Sequence, residues 1–276
     1  MTNLLLFISI LPSILLGKFI YDNDKVEKEP KSLLLLLFLL GILAIIITMI
    51  ISLYGLLFIP YLFEDHNTIV GIIISYFIGV GLVEEFSKLL MVYVGSWNNN
   101  NFDYQYDGLI YSVYVSLGFA TVENIMYVLG NNLKVAILRA LLSVPGHVFF
   151  GIFMGYYYGL AKKEDRNNNK EKKKYYLIMA LIIPAILHGI FDSTITIAFK
   201  YSDNYISDIS ILIYLLFIVS LYFVSFRRVK TIGKIKTNID DELTRDIPMI
   251  KNRKVYCKEC GKLVVGNYCE ECGTKK

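Results

Sequence analysis

The sequence predicts an all-α polytopic membrane protein of about seven transmembrane helices, followed by a basic linker and a small C-terminal zinc ribbon. Three observations carry this reading. The 276 residues are 55% hydrophobic, with a mean hydropathy of +0.51. Their apolar residues fall in long blocks parted by short charged stretches, and a block of about 20 such residues is long enough to cross a bilayer as a helix. All four cysteines lie between positions 257 and 272, as two Cys-x-x-Cys pairs. The boundaries that follow are a transmembrane domain over 1–226, a polar basic linker over 227–255 and a ribbon over 256–276.

The seven blocks are 3–21, 32–59, 68–94, 107–129, 133–160, 175–199 and 206–226. The first has neither a basic segment before it nor a small-x-small cleavage site, so it reads as an uncleaved span rather than a signal peptide. Basic residues crowd the fifth loop, from Lys162 to Lys174, and follow the last span, from Arg227 to Lys236. Positive charge marks the cytoplasmic side. Lys25, Lys28 and Lys31 put the first loop there too, while the loops holding Glu64-Asp65, Lys134 and Lys200 are poor in basic residues. Seven spans in the cell membrane with the N-terminus outside and the ribbon cytoplasmic satisfy all of these loops. The third loop, 95–106, contains no Lys or Arg and favours neither side. The basic runs read as topology signals and solvated faces, and nothing about them requires nucleic acid.

The first two spans carry little polarity beyond Ser, Thr and Tyr, and read as packing helices against lipid. His66 falls in a polar external loop, where a solvated side chain is expected. The third span is different. Gly71, Ser75 and Gly79 form a small-residue stripe fit for close helix approach, and it runs into Val83-Glu84-Glu85-Phe86-Ser87-Lys88. An ionisable group near the centre of a span costs about 2.5–3.5 kcal/mol on insertion scales. Glu84 and Lys88 share a helix face, whereas Glu85 is turned about 100° away. One carboxylate can therefore serve a reactive centre while the other meets a neighbouring helix.

Later spans answer with more polarity. The fourth presents Ser112, Ser116 and Ala120 at helical spacing, then Phe119 one turn before Glu123-Asn124, placed to cover that carboxylate from water. The fifth contains Arg139, then Pro145-Gly146-His147, then Gly151, Gly155 and Gly159. The Pro-Gly step weakens the helix before His147, and the glycines form a stripe for a close neighbour. In the sixth, His188 and Asp192 are four residues apart, so the carboxylate can fix the imidazole tautomer. Glu84, Glu123, His147, His188 and Asp192 all fall near the middle of their spans. Five buried charges, counting Glu85 and Lys88, would cost on the order of 10 kcal/mol if unrelieved, which is hard to reconcile with a purely structural role.

Taken in order, Glu84-Glu85-x-x-Lys88, Phe119-x-x-x-Glu123, Pro145-x-His147 and His188-x-x-x-Asp192 resemble the PrsW family of intramembrane proteases, in the wider clan of CAAX-processing proteases. The resemblance covers roughly 68–226. It implies an endopeptidase that cuts in or near the membrane segment of another membrane protein, in signalling through a membrane-anchored regulator such as an anti-sigma factor. Carried over, Glu84 is the base for water and Glu85 its partner, with His147 and His188 binding or polarising. CAAX-type relatives have His at the place of Glu123 and usually Arg at that of Lys88, which argues for the PrsW branch and against prenylated substrates. The active-site metal is left open, since no His-Glu-x-x-His occurs.

Residues alone also allow a proton-coupled transporter, because midplane carboxylates form proton relays, or a scaffold that binds helices without cutting them. The tail speaks separately. Cys257-x-x-Cys260 and Cys269-x-x-Cys272, eight residues apart, have the spacing of a tetrahedral structural zinc. A reducing cytoplasm disfavours disulfides there, and so short a segment needs metal to fold. A cytoplasmic partner for this ribbon and a passive cap are equally compatible with it.

Overall fold

The computed structural model describes residues 2–24, 27–62, 67–129, 133–232, 255–256 and 263–264. Among the described residues seven helices are long and apolar enough to cross a membrane: α1 (Thr2–Asn23), α2 (Lys31–Phe58), α3 (Ile69–Ser96), α4 (Gln105–Leu129), α5 (Leu133–Arg166), α6 (Lys170–Lys200) and α7 (Tyr205–Ile232). They coincide with the seven apolar blocks and overrun most of their ends. In hydrocarbon a helix is the one local structure that satisfies every backbone group from within. Side chains supply what the ends lack: Thr68 Oγ1 accepts from Gly71 N at 3.1 Å, and Asn169 Oδ1 from Lys172 N at 3.2 Å. Both are N-caps.

Two helices carry a π-helical turn, over Ser75–Leu82 in α3 and Arg139–Ser143 in α5. In α5 the expected weakening at Pro145-Gly146 takes this form. Pro145 has no N–H for the carbonyl four residues back, and Val144 N–H reaches five residues back to Arg139 O.

Helix α4 is the hub, buried along most of its length, with α1, α2 and α5 packed around it. Backbone approaches backbone at glycines. A Cβ on Gly41 of α2 would lie 2.1 Å from Val115 O, and one on Gly118 would lie 1.9 Å from Phe38 O. On the other side of α4, Gly155 and Gly159 meet Gly108 O and Gln105 O at 2.4 and 2.6 Å from their would-be Cβ positions. The stripe expected on α5 is thus a seam for α4. The stripe expected on α3 is displaced: the closest approach to α6 is at Gly81, whose Cβ would sit 2.8 Å from Ala185 O. The π turn shifts the helical phase between Ser75 and Leu82, so a pattern read at constant pitch does not carry through it.

Three connections meet at one end of the bundle. Tyr111 Oη lies 2.8 Å from Glu29 Oε2 and 3.0 Å from Asn101 O, joining the first loop to the third. Lys162 Nζ donates to Trp97 O at 2.5 Å, joining the third loop to the end of α5. Lys162, read above as a solvated topology charge, is buried beneath Trp97 and Phe102, whose rings it faces at 5.1 and 5.2 Å. Its long apolar stem lets the ammonium reach that carbonyl from within the packed rings.

A second unit, 240–276, is separate. Among its described residues Val255–Tyr256 pairs antiparallel with Leu263–Val264. Cys257, Cys260, Cys269 and Cys272 lie outside the described residues, as does His66.

Candidate active site

The polar residues of α3, α4, α5 and α6 converge on one buried cluster. Lys88 is its centre, with Nζ 2.7 Å from Glu85 Oε1, 3.3 Å from Glu84 Oε2 and 3.0 Å from His147 Nδ1. The ammonium sits closer to Glu85 than to Glu84, since residues three apart on a helix are neighbours as well as those four apart. Glu85 meets the neighbouring helix, with Oε1 2.9 Å from His188 Nδ1. Its other oxygen, Oε2, is buried with no hydrogen-bond partner among the described residues.

The two histidines are arranged alike. Lys88 can only donate, so His147 Nδ1 accepts and Nε2 carries the proton, which it gives to Glu123 Oε2 at 2.8 Å. His188 turns Nδ1 to Glu85 and Nε2 to Asp192 Oδ2 at 3.1 Å. Each ring thus directs Nδ1 inward and holds an outer carboxylate with Nε2. The rings are 5.3 Å apart and nearly perpendicular, with Phe150 stacked on His188 at 4.8 Å.

Phe119 covers a different neighbour from the one expected. Its ring faces Lys88 Nζ at 4.1 Å and packs on His147 at 5.7 Å. Glu123 is instead held by Arg139, whose Nη2 lies 2.9 Å from Oε2. Arg139 was absent from the expected site although an arginine inside an apolar span is itself a signal. Asn124 joins it, with Oδ1 accepting from Arg139 Nε at 3.3 Å and Nδ2 donating to Ser9 O at 3.1 Å.

The cluster is buried but not sealed. Side-chain exposure is 0% at Glu85 and Lys88, 11% at Glu84, 20% at Glu123 and 25% at Asp192. Glu84 therefore lies toward the open side of the cluster, and Glu85 in its interior.

Glu84, Glu85, His147 and His188 each offer a donor atom within 4.8 Å of the others. This set fits a small divalent cation on chemical grounds. The donors are carboxylate oxygen and imidazole nitrogen, and each imidazole is backed by a carboxylate, as metal-binding histidines commonly are. Glu85 Oε2 is unsatisfied, and four carboxylates face only two permanent cations, Lys88 and Arg139. In this structure Lys88 is the cation among these donors.

A multi-helix bundle that gathers carboxylates, imidazoles and a partly exposed glutamate in mid-span has the groups that hydrolysis within a membrane requires. The comparisons make the class specific. Residues 29–224 match the model of the PrsW family of intramembrane metalloproteases, and the chain belongs to that family. Relatives include Protease PrsW of Geobacillus kaustophilus, 34% identical over 80% of this chain and 88% of the relative. Protease PrsW of Clostridioides difficile is 36% identical over 72% of this chain and 82% of its own length. That of Bacillus subtilis is 33% identical over 68% and 80% respectively. No solved structure matches the chain. The chain is accordingly a multi-pass membrane peptidase, and the transporter and scaffold alternatives give way to it.

Proposed function

We propose that this protease hydrolyses a peptide bond in or near the transmembrane segment of another membrane protein, with Glu84 as the base that activates water. The observation that carries the assignment is the asymmetry of the acidic pair: Glu85 is fully buried between Lys88 and His188, whereas Glu84 keeps 11% side-chain exposure and longer contacts, 3.3 Å to Lys88 and 3.9 Å to His188 Nε2. Peptide hydrolysis needs a water, a group to take its proton and a positive or hydrogen-bonding partner for the oxyanion. Glu84 takes the proton and returns it to the departing amide nitrogen. His147 and His188 bind at the site with Nε2 tied to Glu123 and Asp192; the inward Nδ1 of His147 is a lone pair and accepts from water, and His188 is the ring that can donate to the reacting oxygen. Lys88 neutralises Glu85 and keeps the pair from repelling itself.

Glu84, Glu85, His147 and His188 are the residues that would hold a metal here, and such an ion supplies Lewis-acid polarisation and a more acidic water. The substrate class is a membrane-anchored regulator, so that cleavage is a signal. The orientation that fits best has the N-terminus outside and the basic loops cytoplasmic. It is supported by the third loop's contacts with the first loop and with α5, which give this loop without Lys or Arg the same side as its basic neighbours. We extend the proposal to a structural zinc at Cys257, Cys260, Cys269 and Cys272, with a cytoplasmic partner docking on the ribbon.

Purified protein in liposomes is to be offered single-span membrane proteins, with mass spectrometry locating the cut. A cut within or beside the span is expected, and cleavage confined to soluble domains contradicts the proposal. For the tail, about one zinc per chain is expected by elemental analysis, lost in Cys257→Ser/Cys260→Ser with the bundle still folded. Unchanged zinc in that variant removes the ribbon.

A further inference from the structure

Consecutive helices α1 and α2 each pack closely on α4 rather than on each other. Three hydrogen bonds pin α1: Ser13 Oγ accepts from Thr121 Oγ1 at 2.6 Å, Gly17 O from Tyr114 Oη at 3.2 Å and Ile20 O from Tyr106 Oη at 3.0 Å. The backbone seam at Gly41 and Gly118 pins α2. Both walls are thus fixed independently, and the gap between them stays open.

That gap is a trough of about 610 Å³. Ile10, Ile14, Leu35 and Phe38 line its sides, with Tyr114 and Leu117 of α4 beneath. Charged groups gather at one end alone, where Lys18 and Asp22 of α1 and Lys31 of α2 line the mouth beside the 24–30 connection. Lys28 adds its charge over the Tyr21 ring at 4.7 Å. Lys18, an oddity inside an apolar span, sits five residues before the end of α1, and its long stem returns the ammonium toward the interface. There it meets Asp22 Oδ2 at 2.5 Å, but the two side chains are 71% and 53% exposed. So exposed a pair is weak, and an incoming anion with several oxygens can take the ammonium from it.

Size decides what fills the trough. From Ile10 to Asp22 it runs about 18 Å at ~1.5 Å per residue, a little more than half of a ~30 Å hydrocarbon core and so the depth of one leaflet. Spread over that length, the volume gives a mean cross-section of about 34 Å², less than half that of a helix ~10 Å across. A hydrocarbon chain fits inside, whereas a second helix does not.

We propose that the trough between α1 and α2 is a binding site for one anionic phospholipid, with an acyl chain along the apolar walls and the phosphate at Lys18 and Lys31. Two ammoniums against one carboxylate at the mouth select a headgroup of net negative charge, and the leaflet-deep walls select a chain.

The test uses the full chain in phosphatidylcholine vesicles containing a trace of phosphatidylglycerol with a photoreactive diazirine in its acyl chain. Phosphatidylcholine carrying the same chain is the reference probe, and mass spectrometry of peptides maps the adducts. Phosphatidylglycerol adducts are expected in 10–22 and 31–38, exceeding those of the reference about fivefold or more, since each lysine near a membrane surface contributes about that factor. Lys18→Gln/Lys31→Gln should bring the ratio close to one. Lys170→Gln/Lys172→Gln, which removes two exposed charges from α6, should leave it unchanged. Ile14→Trp, which fills the trough, should reduce labelling there by both probes.

Equal labelling of the trough by the two probes in wild type overturns the proposal without recourse to any variant. So does a preference that survives Lys18→Gln/Lys31→Gln, or one that falls as far in Lys170→Gln/Lys172→Gln, which would make it a diffuse attraction to basic surface. A trough that neither probe labels, in protein that sediments as a dimer, would give the site to a second copy of the chain and overturn it equally.

Discussion

His188 illustrates how a membrane site fixes a side chain by its surroundings. Its two nitrogens face Glu85 at 2.9 Å and Asp192 at 3.1 Å, so the ring cannot rotate without losing a charged partner in a medium where replacement by water is limited. The two outer contacts are unequal in function. His188→Ala removes a group at the reaction site and is expected to abolish cleavage by about 10² or more, whereas Asp192→Asn keeps an oxygen acceptor for Nε2 and is expected to be milder. Single-turnover rates on one substrate test the order, and equal losses would mean that Asp192 does more than orient. Much of this was legible in the sequence, because Glu84, Glu123, His147, His188 and Asp192 are polar residues in apolar segments, where each one demands a partner. Arg139 escaped because eight residues do not return to one face of a regular helix. Phe119 was read as a cover for Glu123, and only the rotamers of three converging helices reveal that it covers Lys88 and His147 instead.

Helices are positioned by where backbone can touch backbone. The site needs α3, α4, α5 and α6 within side-chain reach, and the seams that hold α4 are made by glycines at Gly41–Gly118 and Gly108–Gly155. A Cβ at Gly41 or Gly118 would overlap a carbonyl oxygen of the facing helix, which no rotamer relieves. Gly41→Leu is therefore expected to destabilise the bundle by at least about 2 kcal/mol, within the range for overpacking, while Gly17→Ala, whose Cβ meets side chains rather than backbone, Leu117 at 3.2 Å and Tyr114 at 3.7 Å, should be near neutral. Thermal unfolding in detergent measures both, and a Gly41→Leu protein as stable as wild type contradicts the seam. The α5 stripe could be read from sequence because its spacing is regular. The α3 contact at Gly81 could not, because the π turn over Ser75–Leu82 changes the pitch on which such a reading depends.

Across the whole molecule, apolar blocks foretold the seven helices, whereas loop charge leaves the third loop, which carries no Lys or Arg, without a side. Its side is written in long-range contacts, Tyr111 between Glu29 and Asn101 O, and Lys162 to Trp97 O. Glu29 in that lock has a consequence for stability. Burial pushes its carboxyl up from 4.5 to about 7, against the opposing hydrogen bond from Tyr111. A raised carboxylate holds a proton in the folded chain that the unfolded chain has released, so stability falls as pH rises from about 4.5 to 7 and levels beyond. Glu29→Gln should flatten this slope and raise the melting temperature above pH 7; an unchanged slope would assign it to other groups. The central claim concerns Glu84, and its most direct test is the rate of cleavage of a reconstituted single-span substrate by wild type and by Glu84→Gln, which keeps the side chain's shape and removes the base. The variant is expected to fold and to lose about 10²-fold or more; a rate equal to that of wild type would contradict Glu84 as the group that activates water.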